Sequence, residues 1–113
     1  PRAVGPGRAG STAVKLVVIS VHFEYADVIE AIVDQHDVSH YFVFPRVEGR
    51  DSEGFHEGSQ VHPGNLAALH VRIDDDAVDA LFGDLEGFRR EKKAHAHLEA
   101  IVVPIERRMG PDA

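Results

Sequence analysis

Apolar residues along this chain fall into four short β-like runs and two helical stripes. Lys15 to Phe23 (KLVVISVHF) is a brief β-branched run, apolar on both faces, and reads as a strand. From Glu24 to His36, Tyr25, Val28, Ile29, Ile32 and Val33 recur at helical spacing, with Asp27, Glu30 and Asp34 turned outward. Ser39 to Glu48 (SHYFVFPRVE) is a second strand, in which Pro45 marks a bulge, an edge or a change of partner. A glycine-rich loop follows to about Gly64, and Asn65 to Ile73 (NLAALHVRI) is a third strand. Asp74 then suits the N-cap of a helix running to about Lys92. Val78, Leu81, Leu85 and Phe88 give that helix its stripe, while Gly83 and Gly87 weaken it. His97 to Glu106 (HLEAIVVPIE) is the last strand.

The order β-α-β-β-α-β predicts an α+β, ferredoxin-like sandwich: an antiparallel sheet in the order 4-1-3-2 with both helices on one face. A half-exposed sheet alternates apolar and polar residues. Here VVIS, YFVF, NLAAL and AIVVPI are apolar on both sides, as in strands covered on both faces. The helices cover one face only, so the sequence predicts an oligomer built through the sheets. A length of 113 residues fits one domain. Its expected extent is 15–106, between a Pro/Gly/Arg-rich tail at 1–14 and a loose tail at 107–113.

Charge and composition narrow the function classes. The net charge of −7 argues against nucleic acid as a partner, because phosphate binding wants a basic face. The chain has no cysteine, which excludes disulfides, thiolate zinc sites and thiol catalysis. No apolar run approaches the roughly 18 residues of a membrane span, so direct membrane insertion is not expected and a cytoplasmic location is compatible. Serines 39, 52 and 59 have no nucleophile-elbow pattern, and a non-enzymatic role is expected.

Eight histidines make imidazole chemistry the candidate to weigh. His56 and His62 lie in the glycine-rich loop beside Glu53 and Glu57, a donor set that suits a divalent transition metal; the plain alternative is a polar loop with two incidental histidines. In a 4-1-3-2 sheet, His22, His40, His70, Arg72, His95 and His97 are expected around one sheet end. They would line a cleft for an anion or a metal, or else form a set of solvated or interface histidines. His97 and Glu99 would share a strand face. Arg46, at the loop base, suits bidentate contact with phosphate or carboxylate, or a salt bridge to Glu48 or Asp51. Asp74-Asp75-Asp76 and the basic run Arg89 to Lys93 fit the two ends of the second helix, each complementing the macrodipole.

The long loop between strands two and three, FPRVEGRDSEGFHEGSQVHPGN, resembles the loop of a divergent subgroup of the PII-like superfamily. Pro45-Arg46-Val47, Gly49, Gly58 and Pro63-Gly64-Asn65 carry the likeness, and the topology extends it over residues 15–106. The resemblance implies a homotrimer packed through its sheets. It also implies a small ligand, such as an adenine nucleotide, held in clefts between subunits, and a T-loop that controls a membrane transporter or an enzyme. It points to Arg46, Gly49, Gly58, His62, Gly64, Asn65, Arg72 and His97 as ligand-binding positions. The copper-tolerance CutA proteins share the fold, and a CutA-like metal-binding protein with His56 and His62 as ligands is the alternative. One departure is plain. Where PII proteins place a glycine-rich phosphate cradle before the last strand, this chain has RREKKAHAH (residues 89–97), without glycine. Four basic residues there still attract an anion. Neither Tyr25 nor Tyr41 lies in the loop, so a uridylylation tyrosine is not expected.

Overall fold

The computed structural model describes residues 13–52, 54–56 and 66–111. Strand β1 (Val14–His22) leads through a 3-10 turn at Phe23–Tyr25 into helix α1 (Ala26–Asp34). Strand β2 (Val38–Val47) is followed by two short strands, β3 (Gly49–Asp51) and β4 (Gly54–His56). Strand β5 (Leu66–Asp74), a 3-10 turn at Asp75–Ala77, helix α2 (Val78–Glu91), a 3-10 turn at Lys93–His95 and strand β6 (Glu99–Pro104) complete the order.

The main sheet has four strands in the order β2-β5-β1-β6. Numbered among themselves, these strands give the expected 4-1-3-2 read from the opposite edge. All three ladders are antiparallel. Strand β2 is an edge, and its register with β5 slips between Phe44 and Val47. Pro45 sits in that slip, where its missing N–H leaves no gap in a regular ladder.

Burial alternates with period two, so one sheet face is dry and the other open. Val17, Ile19 and Val21 of β1 and Leu69, Val71 and Ile73 of β5 are fully buried. Against them α1 lays Ala26, Ile29 and Val33, and α2 lays Val78, Leu81, Leu85 and Phe88. Each fully buried aliphatic side chain of this kind contributes about 1.5–3 kcal/mol. The helices are tied to each other by His36 Nε2 and Asp84 Oδ2 at 2.7 Å.

Three expectations need correction. The segment after Val47 is not a simple loop: β3 and β4 pair as a small hairpin in which Gly49 faces His56 and Asp51 faces Gly54. Gly54 has φ 120°, a left-handed value that disfavours any side chain there. The second helix does not start from an Asp74 cap. Asp74 makes no side-chain capping bond and leads into the 3-10 turn, so the α-helix begins at Val78. The last strand begins at Glu99, so His97 does not share a strand face with it. Instead His95 and His97 are the buried residues of a tight turn, each 5% exposed.

Candidate functional site

Three segments converge where β1 ends: the start of the β3–β4 hairpin, the residues that follow β1, and the turn before β6. His22 is the hub. Its backbone N–H donates to His97 Nε2 at 2.9 Å. Since that ring nitrogen accepts, the His97 proton lies on Nδ1, which donates to the Ala94 carbonyl at 2.9 Å. The two imidazoles stack, with centroids 3.4 Å apart and planes within 9°. On the other side, His22 Nε2 meets Asp51 Oδ2 at 2.9 Å, in a pair whose side chains are only 17% and 9% exposed. A carboxylate accepts, so the His22 ring donates from Nε2. The His22–Asp51 pair thus bonds the hairpin that opens the long loop to the end of β1.

The turn before β6 is built on the end of α2. His95 Nδ1 donates to the Phe88 carbonyl at 2.9 Å, satisfying one of the carbonyls that a helix end leaves open. Its ring lies parallel to that of Phe88 at 3.8 Å and meets Tyr25 edge-on at 4.7 Å. Arg89 Nη1 donates to Glu86 Oε1 at 2.6 Å and Nη2 to the Ala96 carbonyl at 3.0 Å. The Arg89 Nε is buried and makes no hydrogen bond among the described residues. Arg90, Lys92 and Lys93 stand exposed around this turn. A groove of about 360 Å³ runs beside it, walled by Phe82, Leu85, Leu98 and Ala100 and rimmed by Ser52, Glu86, Arg89, His97 and Glu99.

The structure gathers some predicted site residues and separates others. Arg46 lies at this sheet end, its guanidinium 4.0 Å over the Phe23 ring, a cation–π contact. Gly49 opens the hairpin, and a Cβ there would come within 3.2 Å of Leu66 Cδ1. His22, His95 and His97 join them. His40, His70 and Arg72 do not. Leu66 is the β5 residue paired with His22, and Arg72 lies six residues further along, roughly 20 Å away. The expected single ring of histidines is therefore two groups. Gly58, His62, Gly64 and Asn65 lie outside the described residues, and His56 closes β4 opposite Gly49. Among the described residues, no group of three or more His, Cys, Asp or Glu side chains is placed to hold a metal ion. None of their helices is long and apolar enough to cross a membrane. Asp51 was missed as a site residue. It is 29 positions from His22, and no local spacing announces the pair.

Searched by sequence, the chain matches no protein-family model and no curated protein. Its fold does have solved counterparts. The apo form of CPII from Thiomonas intermedia K12, a nitrogen regulatory PII-like protein, superposes with TM-score 0.63 at 17% identity, over 81% of this chain and 88% of that one. The same protein bound to ADP, AMP and bicarbonate gives TM-score 0.63 at 22% identity, over 81% and 91%. A PII-like signalling candidate from Thermus thermophilus gives 0.63 at 17%, over 83% and 88%. The chain has the PII-like fold.

Proposed function

We propose that this protein is a PII-like regulatory subunit that binds a small anionic ligand, an adenine nucleotide foremost, and signals its occupancy through the segment between β2 and β5. The observation that carries this reading is the His22–Asp51 bond. It couples the base of that segment to the sheet end where Arg46 and the basic turn at Arg89–Lys93 also lie. A ligand that draws on Arg46 or on the basic turn changes the footing of the hairpin, and with it the long segment. That is switching by differential affinity for two arrangements of one element. The likeness to a protein that binds ADP, AMP and bicarbonate supports the choice of ligand. With no glycine cradle at residues 89–97, phosphate contact falls to side-chain cations rather than to backbone N–H groups.

The reading includes a homotrimer. The open sheet face exposes Phe42 (63%), Phe44 (43%), Ile101 (49%) and Val103 (38%), an apolar surface of the kind that marks an interface. Copies sharing this face would set their sheet ends beside one another and form the clefts between them. The proposed target of the signal is a transporter or an enzyme, and the proposed location is the cytoplasm. Calorimetric titration with ADP, with and without bicarbonate, tests the binding, and limited proteolysis tests the loop. Zinc titration, with His56 and His62 replaced, tests the metal-handling alternative. Zinc binding without any nucleotide binding would favour that alternative over ours.

A further inference from the structure

We infer that the edge of β6 pairs with the β6 edge of a second copy of the chain, antiparallel and about a two-fold axis at Val103. The inference goes beyond the ligand reading and does not rest on it. It also uses a different surface from the proposed trimer, the edge of the sheet rather than its open face. The two edges of the main sheet are unlike. Strand β2 is guarded: its register with β5 slips between Val38 and His40 and again between Phe44 and Val47, with Pro45 inside the second slip. Such irregularities keep an edge from taking up another strand. Strand β6 has no slip. Among the described residues its only ladder neighbour is β1, in an unbroken register from Glu99 opposite Ser20 to Pro104 opposite Lys15. Between those ends it presents Ala100, Ile101, Val102 and Val103. Ile101 and Val103 are exposed on the open face. Val102 points to the helix side and is still 37% exposed, so the helices do not reach over this strand. A regular edge that is apolar on both faces and uncovered is a template for a further strand.

The residues along this edge fit a second copy of themselves. After Pro104 the chain runs on through Ile105, Glu106 and Arg107 without helix or turn. At the period of a strand, Glu99, Ile101, Val103, Ile105 and Arg107 form one row. Turned end for end, that row complements itself. Glu99 meets the second copy's Arg107, Ile101 meets its Ile105, and Val103 meets its Val103. Opposite charges and β-branched side chains directly across a ladder are stabilising pairs, and a two-fold contact requires this kind of self-complementarity. Among the described residues neither Glu99 nor Arg107 makes an ion pair, so both charges are available to a partner. No neighbouring charge competes on that face, because the β1 residues beside the row are Leu16, Val18 and Ser20. Lys15 lies on the helix side and pairs with Asp75. Glu106 falls on the other row, across from the second copy's Ala100, and Arg108 is bonded to the Pro111 carbonyl. Pro104, the one residue of the run without an N–H, costs each strand at most one ladder bond.

The test is sedimentation of the full chain over a range of concentrations at low salt, where surface charges are least screened, with amide exchange of residues 99–107 followed in parallel. A step that doubles the number of copies is expected: dimers from single chains, or hexamers where the face-sharing trimer also forms. Amide exchange in β6 should slow with that step. Glu99→Arg and Arg107→Glu each set like charges opposite one another at both ends of the two-fold, and each should weaken the doubling roughly 10-fold. The double variant restores opposite charges and should recover it. Both positions are exposed, so neither change threatens the fold. The absence of a doubling step overturns the inference, whether the chain is then single or trimeric. So does a doubling in which the double variant stays as weak as the single ones, or one that leaves exchange in β6 unchanged. Threefold species that persist in the single variants support the trimer on its own terms and show that the two contacts are separate.

Discussion

Replacing His97 with phenylalanine removes a donor and an acceptor from a buried position while keeping a planar aromatic ring. Two hydrogen bonds go with it: the one accepted from the His22 N–H and the one donated to the Ala94 carbonyl, both 2.9 Å. His97 is 5% exposed, so water does not readily replace either partner. Each orphaned group costs about 1–3 kcal/mol, and the apolar ring returns part of that against His22 and Tyr25, whose rings lie 3.4 and 5.7 Å away. The net expectation is a loss of about 2–4 kcal/mol, a large share of the roughly 5–15 kcal/mol that holds a domain folded. Urea unfolding at fixed protein concentration should show the midpoint falling by about 1–2 M, with the slope unchanged. His97→Gln keeps an acceptor near the Nε2 position and should lose about half as much. A loss below about 1 kcal/mol for His97→Phe, at constant slope, would refute the view that this histidine is structural glue between β1 and the turn before β6.

Other consequences are simpler to state. Asp51→Ala releases the hairpin from His22; hydrogen exchange at residues 49–56 should accelerate while the amides of β1 and β5 stay protected, and uniform loss of protection would contradict a local latch. Gly54→Ala forces a side chain onto a φ of 120°, so it should weaken the same hairpin by about 1 kcal/mol or more, seen in the same exchange experiment. Leu81→Ala empties a fully buried position and should cost about 2–5 kcal/mol in urea unfolding; a neutral result would mean α2 does not pack as described. Tyr41 donates its hydroxyl to Asp34 Oδ1 at 2.8 Å with Glu30 Oε2 also near, and these carboxylates, Asp34 first, push the phenol from 10.0 up to about 12. A raised folded-state value means the contribution to stability is complete below the ordinary range and fades as pH climbs from 10.0 through about 12. Absorbance titration should show a late tyrosinate step that Tyr41→Phe removes, and complete ionisation near 10.0 would count against it.

Much of the fold was legible because its signals are local. The β-branched run at Val17, Ile19 and Val21 and the stripe of Val78, Leu81, Leu85 and Phe88 point to the core without any tertiary information. Pro45 pointed to a bulge, an edge or a change of partner, and β2 is an edge strand with a register slip at that proline. The 3-10 turns at both helix starts were missed because Asp74 looks like a cap whichever helical form follows. The hairpin was missed because GRD and GFH are too short and too polar to show a period of two. At the site, composition flagged the histidines but could not sort them. Which of them meet depends on register: His22 and His97 are 75 residues apart, and Arg72 reaches His40 across a ladder while lying far from either. Counting strands places residues at a sheet end; only the pairing tells which end.

The central claim is that a ligand at this sheet end controls the segment that β3 and β4 open. Calorimetric titration of ADP into the full chain, run beside proteolysis of residues 49–64, tests it most directly. The account predicts saturable binding, weakened at least about 10-fold by Arg46→Ala if that guanidinium contacts the phosphates, together with a change in cleavage of the segment. No heat with ADP, in the presence or absence of bicarbonate, and cleavage indifferent to both, would contradict it.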